Sequence, residues 1–440
     1  DVEYENNLFG RIPNPKIFIG NSPEELVEAV ESVKDEKVVI TWNSTTVLDL
    51  SLLEALYRKR GEVIFIANLP EYMEFEVWDT DFLLEVLKNH QKLSKPIRSV
   101  LSSTELDEAV YFTDVLEKDI RLYRWEISPF SYKGEKLAKT LSEKIDFTGG
   151  VVEQIENILR ASPELLTEIP TFYCIEISSE RIESVYNSTW ELSLTDMALE
   201  KFREVISRIV SYSKTAGIMI GIFNEPLFNK NIGEILRVID EYRGYRLSFI
   251  LNTSLTLLPE ELVELFSKTK EVRGFRDTPF FSIFVDIPSN QKNEFEKLKR
   301  ANFEDVISNL RKLLDIDPSR VFIKFVRSIY NDDSLPSFYN EFKGYNILIQ
   351  RCQMKGLNPV DTVLPYRIPC YKIQTTLVIL PDGTSTLCVN DTKLERVIGN
   401  VFSENLDTIC SSKAKTLREH FCGKFLGICK NCVVWDQFDL

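Results

Sequence analysis

Residues 171–187 read Thr171-Phe-Tyr-Cys174-Ile-Glu-Ile177-Ser-Ser-Glu180-Arg-Ile-Glu183-Ser184-Val-Tyr186-Asn187. Just upstream stands Ile169-Pro170, and a proline biases the residue before it out of helix. The apolar, β-favouring run from Thr171 to Ile177 is therefore predicted to be a strand that opens a new stretch of chain. Five more candidate strands follow, at Gly217–Phe223, Arg246–Asn252, Phe280–Asp286, Arg320–Arg327 and Tyr345–Gln350. Amphipathic helices lie between them at roughly 195–214, 229–242, 259–269, 292–315 and 334–342. Six strands separated by helices pair in parallel through right-handed crossovers, which predicts a partial (β/α)6 barrel with its ligand face at the strand C-termini. An open doubly wound sheet gives the same string.

Towards the N-terminus the pattern is again α/β. Lys16–Gly20, Lys37–Trp42 and Glu62–Asn68 read as strands, Leu50–Lys59 as a helix, and Ser22–Val33 as a helix opened by Ser-Pro-Glu-Glu. The pattern is mixed over Leu106–Trp125 and largely helical over 133–169. Towards the C-terminus a hairpin is predicted, Thr375–Leu380 and Thr384–Val389 around Pro381-Asp382-Gly383, then a Gly399-Asn400 turn and a helix near 412–421.

At 440 residues the chain is too long for one ordinary core. A formal charge of -14 argues against nucleic-acid and acidic-membrane partners, which demand a basic face. No apolar run reaches the roughly 18 to 20 residues that span a bilayer. With two histidines, His90 and His420, neither a multi-histidine metal site nor a histidine-driven hydrolase is expected.

Six of the eight cysteines fall in the last 71 residues. Cys370, Cys388 and the pair Cys429-x-x-Cys432 bring thiolates from a hairpin and a loop together. Such a soft, all-sulfur set suits an iron–sulfur cluster or structural zinc, and spacing alone does not separate the two. Cys410 and Cys422 are near enough in sequence to substitute, whereas Cys174 and Cys352 sit on or beside apolar runs as buried free thiols. Cysteines clustered at metal-ligand spacing fit a reducing, cytoplasmic compartment.

The order Cys370-x12-Gly383-x4-Cys388, then Gly399-Asn400 and Cys429-x2-Cys432, resembles the SPASM extension found behind radical S-adenosylmethionine (radical SAM) domains. The resemblance implies that the four cysteines ligate an auxiliary 4Fe–4S cluster. Fuller members carry further cysteines and a second cluster; here eight residues follow Cys432, so one cluster is expected.

A radical SAM domain opens with a strand followed by Cys-x3-Cys-x2-Cys, which holds a 4Fe–4S cluster and leaves one iron for SAM. Laid on that pattern, the three ligand positions fall on Glu180, Ser184 and Asn187, with Tyr186 matching the aromatic before the third cysteine. Gly221-Ile-Phe-Asn224-Glu225-Pro226-Leu227 resembles the Gly-Gly-Glu-Pro segment that contacts the SAM amino group. Leu251-Asn252-Thr253-Ser254, Ser282-Ile-Phe-Val-Asp286 and Lys324-Phe-Val-Arg327 fall where the next three strands end. Carboxylate, hydroxyl and amide are hard donors, so the core cluster is expected to be absent, and with it the 5′-deoxyadenosyl radical. Asn224 and Glu225 are then a degenerate SAM segment. Glu225 either grips an ammonium or metal or, beside Pro226, stabilises a helix start. Glu180 and Glu183 either join it as a hard-cation site or are surface or salt-bridged carboxylates.

Val63–Pro70, Asp119–Arg124, Ser162-Pro163 and Ile169-Pro170 resemble a spirochaete family in which a nucleotidyltransferase-like (GT-A) domain precedes a radical SAM/SPASM unit. Residues 1–40 hold no glycine-rich triphosphate loop, and Trp42-Asn43-Ser44-Thr45-Thr46 stands where a metal-binding Asp is expected, with Asp49 reading as a helix N-cap.

The expected architecture is thus α/β in three parts: a degenerate nucleotidyltransferase-like domain at 1–168, a radical-SAM-like partial barrel at 169–355, and a small SPASM-like iron–sulfur domain at 356–440. The expected role is that of a pseudoenzyme, a peptide- or protein-binding platform. The rivals are a non-radical, cation-dependent enzyme modifying a peptide or nucleotide, and an iron–sulfur electron carrier or sensor.

Overall fold

Phe172–Ile175 forms a strand, β5, inside a nine-stranded sheet. Five parallel strands follow it in chain order on one side: β6 (Thr215–Ile220), β7 (Arg246–Thr253), β8 (Phe281–Asp286), β9 (Val321–Arg327) and β10 (Asn346–Arg351). Right-handed crossovers that never reverse direction lay their helices on one face, as in a barrel. A doubly wound sheet reverses its strand order midway, and the run from β5 to β10 does not.

The computed structural model describes residues 22–33, 36–41, 48–66, 69, 73–89, 97–100, 109–112, 132–146, 150–166, 169–187, 192–352, 357, 367–433 and 435. They divide into two compact units, 1–162 and 163–440. The predicted strand at Lys16–Gly20, the Trp42–Thr46 segment and Asp119–Arg124 lie outside the described residues.

The larger unit is built as the periodicity demands. The helix Leu199–Ser213 buries Phe202, Val205, Ile206 and Ile209, spaced three and four apart, so one stripe faces the sheet. Each such side chain contributes about 1.5–3 kcal/mol when fully buried. The helix Phe303–Ile316 starts where Asn302 Oδ1 accepts from the Glu304 and Asp305 N–H groups, and ends at Asp317. Below it Arg320, 1% exposed, donates from Nε to Asp317 Oδ2 (2.7 Å) and from Nη1 to Thr269 Oγ1 (3.0 Å) while stacking on Phe266.

On the other side of β5 the sheet takes up the C-terminal segment. β11 (Thr376–Ile379) pairs with β5 in parallel, and β12 (Thr384–Thr386) and β13 (Val397–Asn400) add to it antiparallel. Leu377, Ile379, Val401, Leu406 and Ile409 join the same apolar core as β5–β9. The predicted hairpin is present around Gly383, whose φ of +86 and closeness to Asn400 Oδ1 leave no room for a Cβ. Two readings are corrected. Gly399 and Asn400 lie in β13 rather than in a turn, because that strand completes the ladder on β12. The last helix starts earlier, at Leu406, where Asn405 caps it through the Thr408 N–H.

The smaller unit carries a four-stranded mixed sheet ordered β1-β3-β2-β4: β1 (Lys37–Thr41), β2 (Val63–Ile66), β3 (Phe75–Asp79) and β4 (Ala109–Phe112). Val63, Trp78, Leu83, Val86 and Ile97 form part of its core. Asp49 is an N-cap as predicted: Oδ1 accepts from the Ser51 and Leu52 N–H groups, and Oδ2 from the Val151 N–H. The stretch from 133 onwards is two helices, Tyr132–Lys144 and Val151–Ala161, the second entered through Gly150 at φ +61.

Candidate functional site

The strand C-termini of the larger unit surround a cavity of about 200 Å³. Its lining includes Ser184 and Asn187, Asn224 and Glu225, Asn252, Asp286, Lys299 and Lys324. The structure thus gathers the three loops singled out from the sequence.

What those side chains do is decided by their partners. Asn187 Oδ1 accepts from the Ser184 N–H (2.9 Å), its Nδ2 donates to the Ile182 carbonyl (2.8 Å), and Ser184 Oγ accepts from the Tyr186 N–H (3.2 Å). The loop is closed on itself by Ser184 and Asn187. An isolated β-bridge joins Ser184 to Lys299, and Glu183 pairs with Arg300 at the surface. The Glu180 carbonyl accepts from the Glu225 N–H (2.8 Å).

Glu225 is turned into the protein. Its carboxylate accepts from Thr253 Oγ1 (2.5 Å), the Ser254 N–H (2.7 Å) and the Leu227 N–H (3.2 Å). Burial raises its pKa above the usual carboxylate value, against the pull of these donors and of Lys299. The Leu227 contact caps the short turn Pro226–Phe228, whereas those from Thr253 and Ser254 come from the end of β7. Asn224 Nδ2 donates to the Ser178 carbonyl (2.6 Å).

Sequence reasoning missed the residue that organises this end of the sheet. Glu176, fully buried, accepts from the Ile177 and Ser178 N–H groups with Oε1 and from the Ile222, Phe223 and Asn224 N–H groups with Oε2. Burial raises its pKa, and the backbone donors pull it back down. The available signal was a charged residue inside an apolar strand run. The same signal marks Lys324 in Val321–Arg327. Lys324 Nζ donates to Asn252 Oδ1 (2.6 Å), and beside it Lys299 Nζ pairs with Asp286 Oδ2 (2.7 Å). Lys299 was not foreseen at all, because it follows a helix and reaches the cavity only through the bridge to Ser184.

The cysteine site lies in the C-terminal segment. Cys370 precedes the short helix Tyr371–Thr375, and its N–H donates to His420 Nδ1 (3.4 Å). Cys388 follows β12; its sulfur accepts from the Asn390 N–H (3.5 Å), and its carbonyl from the Asp391 N–H (3.0 Å). The buried Asp391 carboxylate fixes that loop by accepting from the Glu395 and Arg396 N–H groups, both at 2.8 Å. Cys429 lies in the turn Gly427–Cys429, its carbonyl held by Arg367, which stacks over Phe425.

Burial pushes the Cys370 thiol up to about 11 and the Cys429 thiol to about 12, and lifts Cys388 well above its ordinary value. Negative charge on neighbouring thiolates, Cys432 among them, adds to each rise. Thiols buried together in this way resist joint ionisation unless a cation sits among them. Among the described residues no group of three or more His, Cys, Asp or Glu side chains is already gathered for a metal ion. The fit therefore lies in donor type, burial and shared neighbourhood. Cys174 and Cys410 are elsewhere, buried near Lys413, and Cys422 is exposed.

Residues 370–433 match SPASM, an iron–sulfur cluster-binding domain. The match contains Cys370, Cys388, Cys429 and Cys432. An uncharacterized protein of Treponema pallidum (strain Nichols) is 23% identical over 308 residues, which is 65% of this chain and 84% of that one. Among solved structures, SuiB of Streptococcus suis bound to the precursor peptide SuiA aligns with a TM-score of 0.45 at 12% identity, over 73% of this chain and 84% of that one. Native anSMEcpe with bound AdoMet and Cp18Cys peptide aligns with a TM-score of 0.44 at 12% identity, over 61% of this chain and 87% of that one. Likenesses as distant as these assign no activity to the chain. No helix among the described residues is long and apolar enough to cross a membrane.

Proposed function

We propose that this chain is a binding protein on the radical SAM/SPASM plan: a peptide- or protein-binding platform with one auxiliary 4Fe–4S cluster and no SAM-cleaving centre. The observation that carries the reading is the closed loop at 180–187. Where three thiolates would hold a core cluster, Ser184 and Asn187 bind their own backbone, and Glu180 contributes its carbonyl to the Glu225 N–H. Hard donors already engaged in hydrogen bonds do not replace soft thiolates. Glu225 and Asn224 likewise face protein partners, which supports a structural role over a grip on SAM.

In the tail, Cys370, Cys388, Cys429 and Cys432 would hold the cluster, which when bound supplies one-electron redox chemistry. Around it the chain shields the sulfurs and fixes their loops through Asp391 and Arg367. The peptide or protein partner follows from the resemblance, in which the tail lies beside a peptide substrate. The smaller unit serves as a docking module.

The test uses anaerobically purified full chain. About four irons and four sulfides per chain are expected, with no 5′-deoxyadenosine when the reduced protein meets SAM. Detection of 5′-deoxyadenosine, or of about eight irons, overturns the reading of the core. One zinc without sulfide overturns the cluster and leaves a structural site.

A further inference from the structure

The cavity at the strand C-termini holds a charge arrangement that the binding-platform reading does not use. Asp286 and Lys324 are paired in register on the adjacent strands β8 and β9, and both line the cavity. Lys299 gives its ammonium to Asp286, contacting Oδ2 at 2.7 Å and the carbonyl at 3.1 Å. Among the described residues Lys324 then has one hydrogen-bond partner, the neutral Asn252 Oδ1, and no ion pair. Its ammonium keeps two further N–H donors. Burial lowers the Lys324 pKa, and the Asp286 and Glu225 carboxylates pull it back up. On the other side Asp286 Oδ1 is buried without a hydrogen-bond partner among the described residues. A buried acceptor left bare is costly, and it calls for a donor.

We propose that this cavity binds a small oxyanion, carboxylate or phosphate, whose negative end is held by Lys324 and whose neighbouring hydroxyl or ammonium group donates to Asp286 Oδ1. Lys299 holds the Asp286 carboxylate in place and adds to the positive field. Size narrows the class. A cavity of about 200 Å³ lies below the roughly 300–1,000 Å³ of pockets that enclose drug-sized ligands, so the ligand is smaller than a nucleoside. The closed 180–187 loop forms one wall, since Ser184 and Asn187 line the space from that side. The site is separate from the tail cysteines, and it stands or falls apart from the cluster.

Calorimetric titration of the full chain in phosphate-free buffer tests this with propionate, lactate, alanine and inorganic phosphate. The three acids differ only at the carbon beside the carboxylate. Lactate or alanine is expected to bind several-fold tighter than propionate, and that preference to vanish in Asp286→Asn. Saturable binding of phosphate but of none of the acids assigns the anion as phosphate. In either case Lys324→Gln, which keeps a donor for Asn252, is expected to weaken binding about tenfold or more, the loss of one charge-assisted hydrogen bond. On the unaltered chain, the bound anion is expected to protect Lys324 from amine acetylation, read by mass spectrometry, whether or not the variants fold. Binding of equal strength in Lys324→Gln overturns the proposal, as does the absence of both saturable binding and protection with all four probes.

Discussion

The Thr253 hydroxyl donates to Glu225 Oε1 over 2.5 Å, tying the end of β7 to the loop that follows β6. With the Ser254 and Leu227 N–H groups it gives Glu225 three donors in a buried setting. Glu225→Ala leaves them bare and is expected to destabilise the larger unit by about 2–4 kcal/mol. The effect depends on pH. Burial raises the folded pKa above the unfolded value, so the folded chain holds that proton more tightly. Glu225 thus contributes most below the unfolded value near about 4.3, and part of that contribution is lost as pH rises through the folded value. Urea unfolding of both proteins across this range is expected to show a difference that shrinks with rising pH. A difference that grows would contradict the assignment.

Asp317 and Arg320 form a buried ion pair under the β9 strand, 2.7 Å apart. Asp317→Asn leaves the guanidinium without its carboxylate and is expected to cost about 3–5 kcal/mol. Replacing both, as Asp317→Leu with Arg320→Met, is expected to cost less than that single change, because no bare charge remains. Denaturant midpoints for the three proteins check the order.

Gly221 and Gly150 separate strain from collision. Both have positive φ, +88 and +61, but only at Gly221 does an added Cβ meet backbone, the Asn252 carbonyl at 2.6 Å. Gly150→Ala is expected to cost about 1 kcal/mol from backbone conformation alone, and Gly221→Ala clearly more. Equal losses in melting experiments would show that the contact with Asn252 yields.

In the tail, the neighbourhood of the thiols predicts which substitutions release iron. Cys370→Ser and Cys429→Ser are expected to lose iron and sulfide together, whereas Cys422→Ser and Cys410→Ser retain both, since the neighbouring sulfurs acting on Cys370 and Cys429 are those of Cys432 and Cys370. Metal analysis of the four variants decides it. Retention in Cys370→Ser with loss in Cys422→Ser would move the ligand set to the exposed cysteine.

Much of this was legible beforehand, for identifiable reasons. The strands of the larger unit announced themselves through apolar runs such as Arg246–Thr253, and Asp49, Ser22 and Gly383 declared caps and a turn through side-chain chemistry. The tail cysteines were visible because thiols at ligand spacing are rare. Strand β3 (Phe75–Asp79) was missed: its Glu76 breaks the apolar pattern, yet is buried against Arg98 and the Trp78 indole. Glu176 and Lys299 were hidden for a related reason. Their roles depend on backbone and side-chain partners far along the chain, which no local pattern reports.

The pairing of β11 with β5 bears on why a chain would keep its tail at all. Were the chain cut before Cys370, β5 would become a bare sheet edge with its ladder groups open to other molecules, a template for aggregation. The cluster-binding segment is therefore a load on the scaffold's own survival: selection against misassembly alone retains the strand, whatever becomes of the metal.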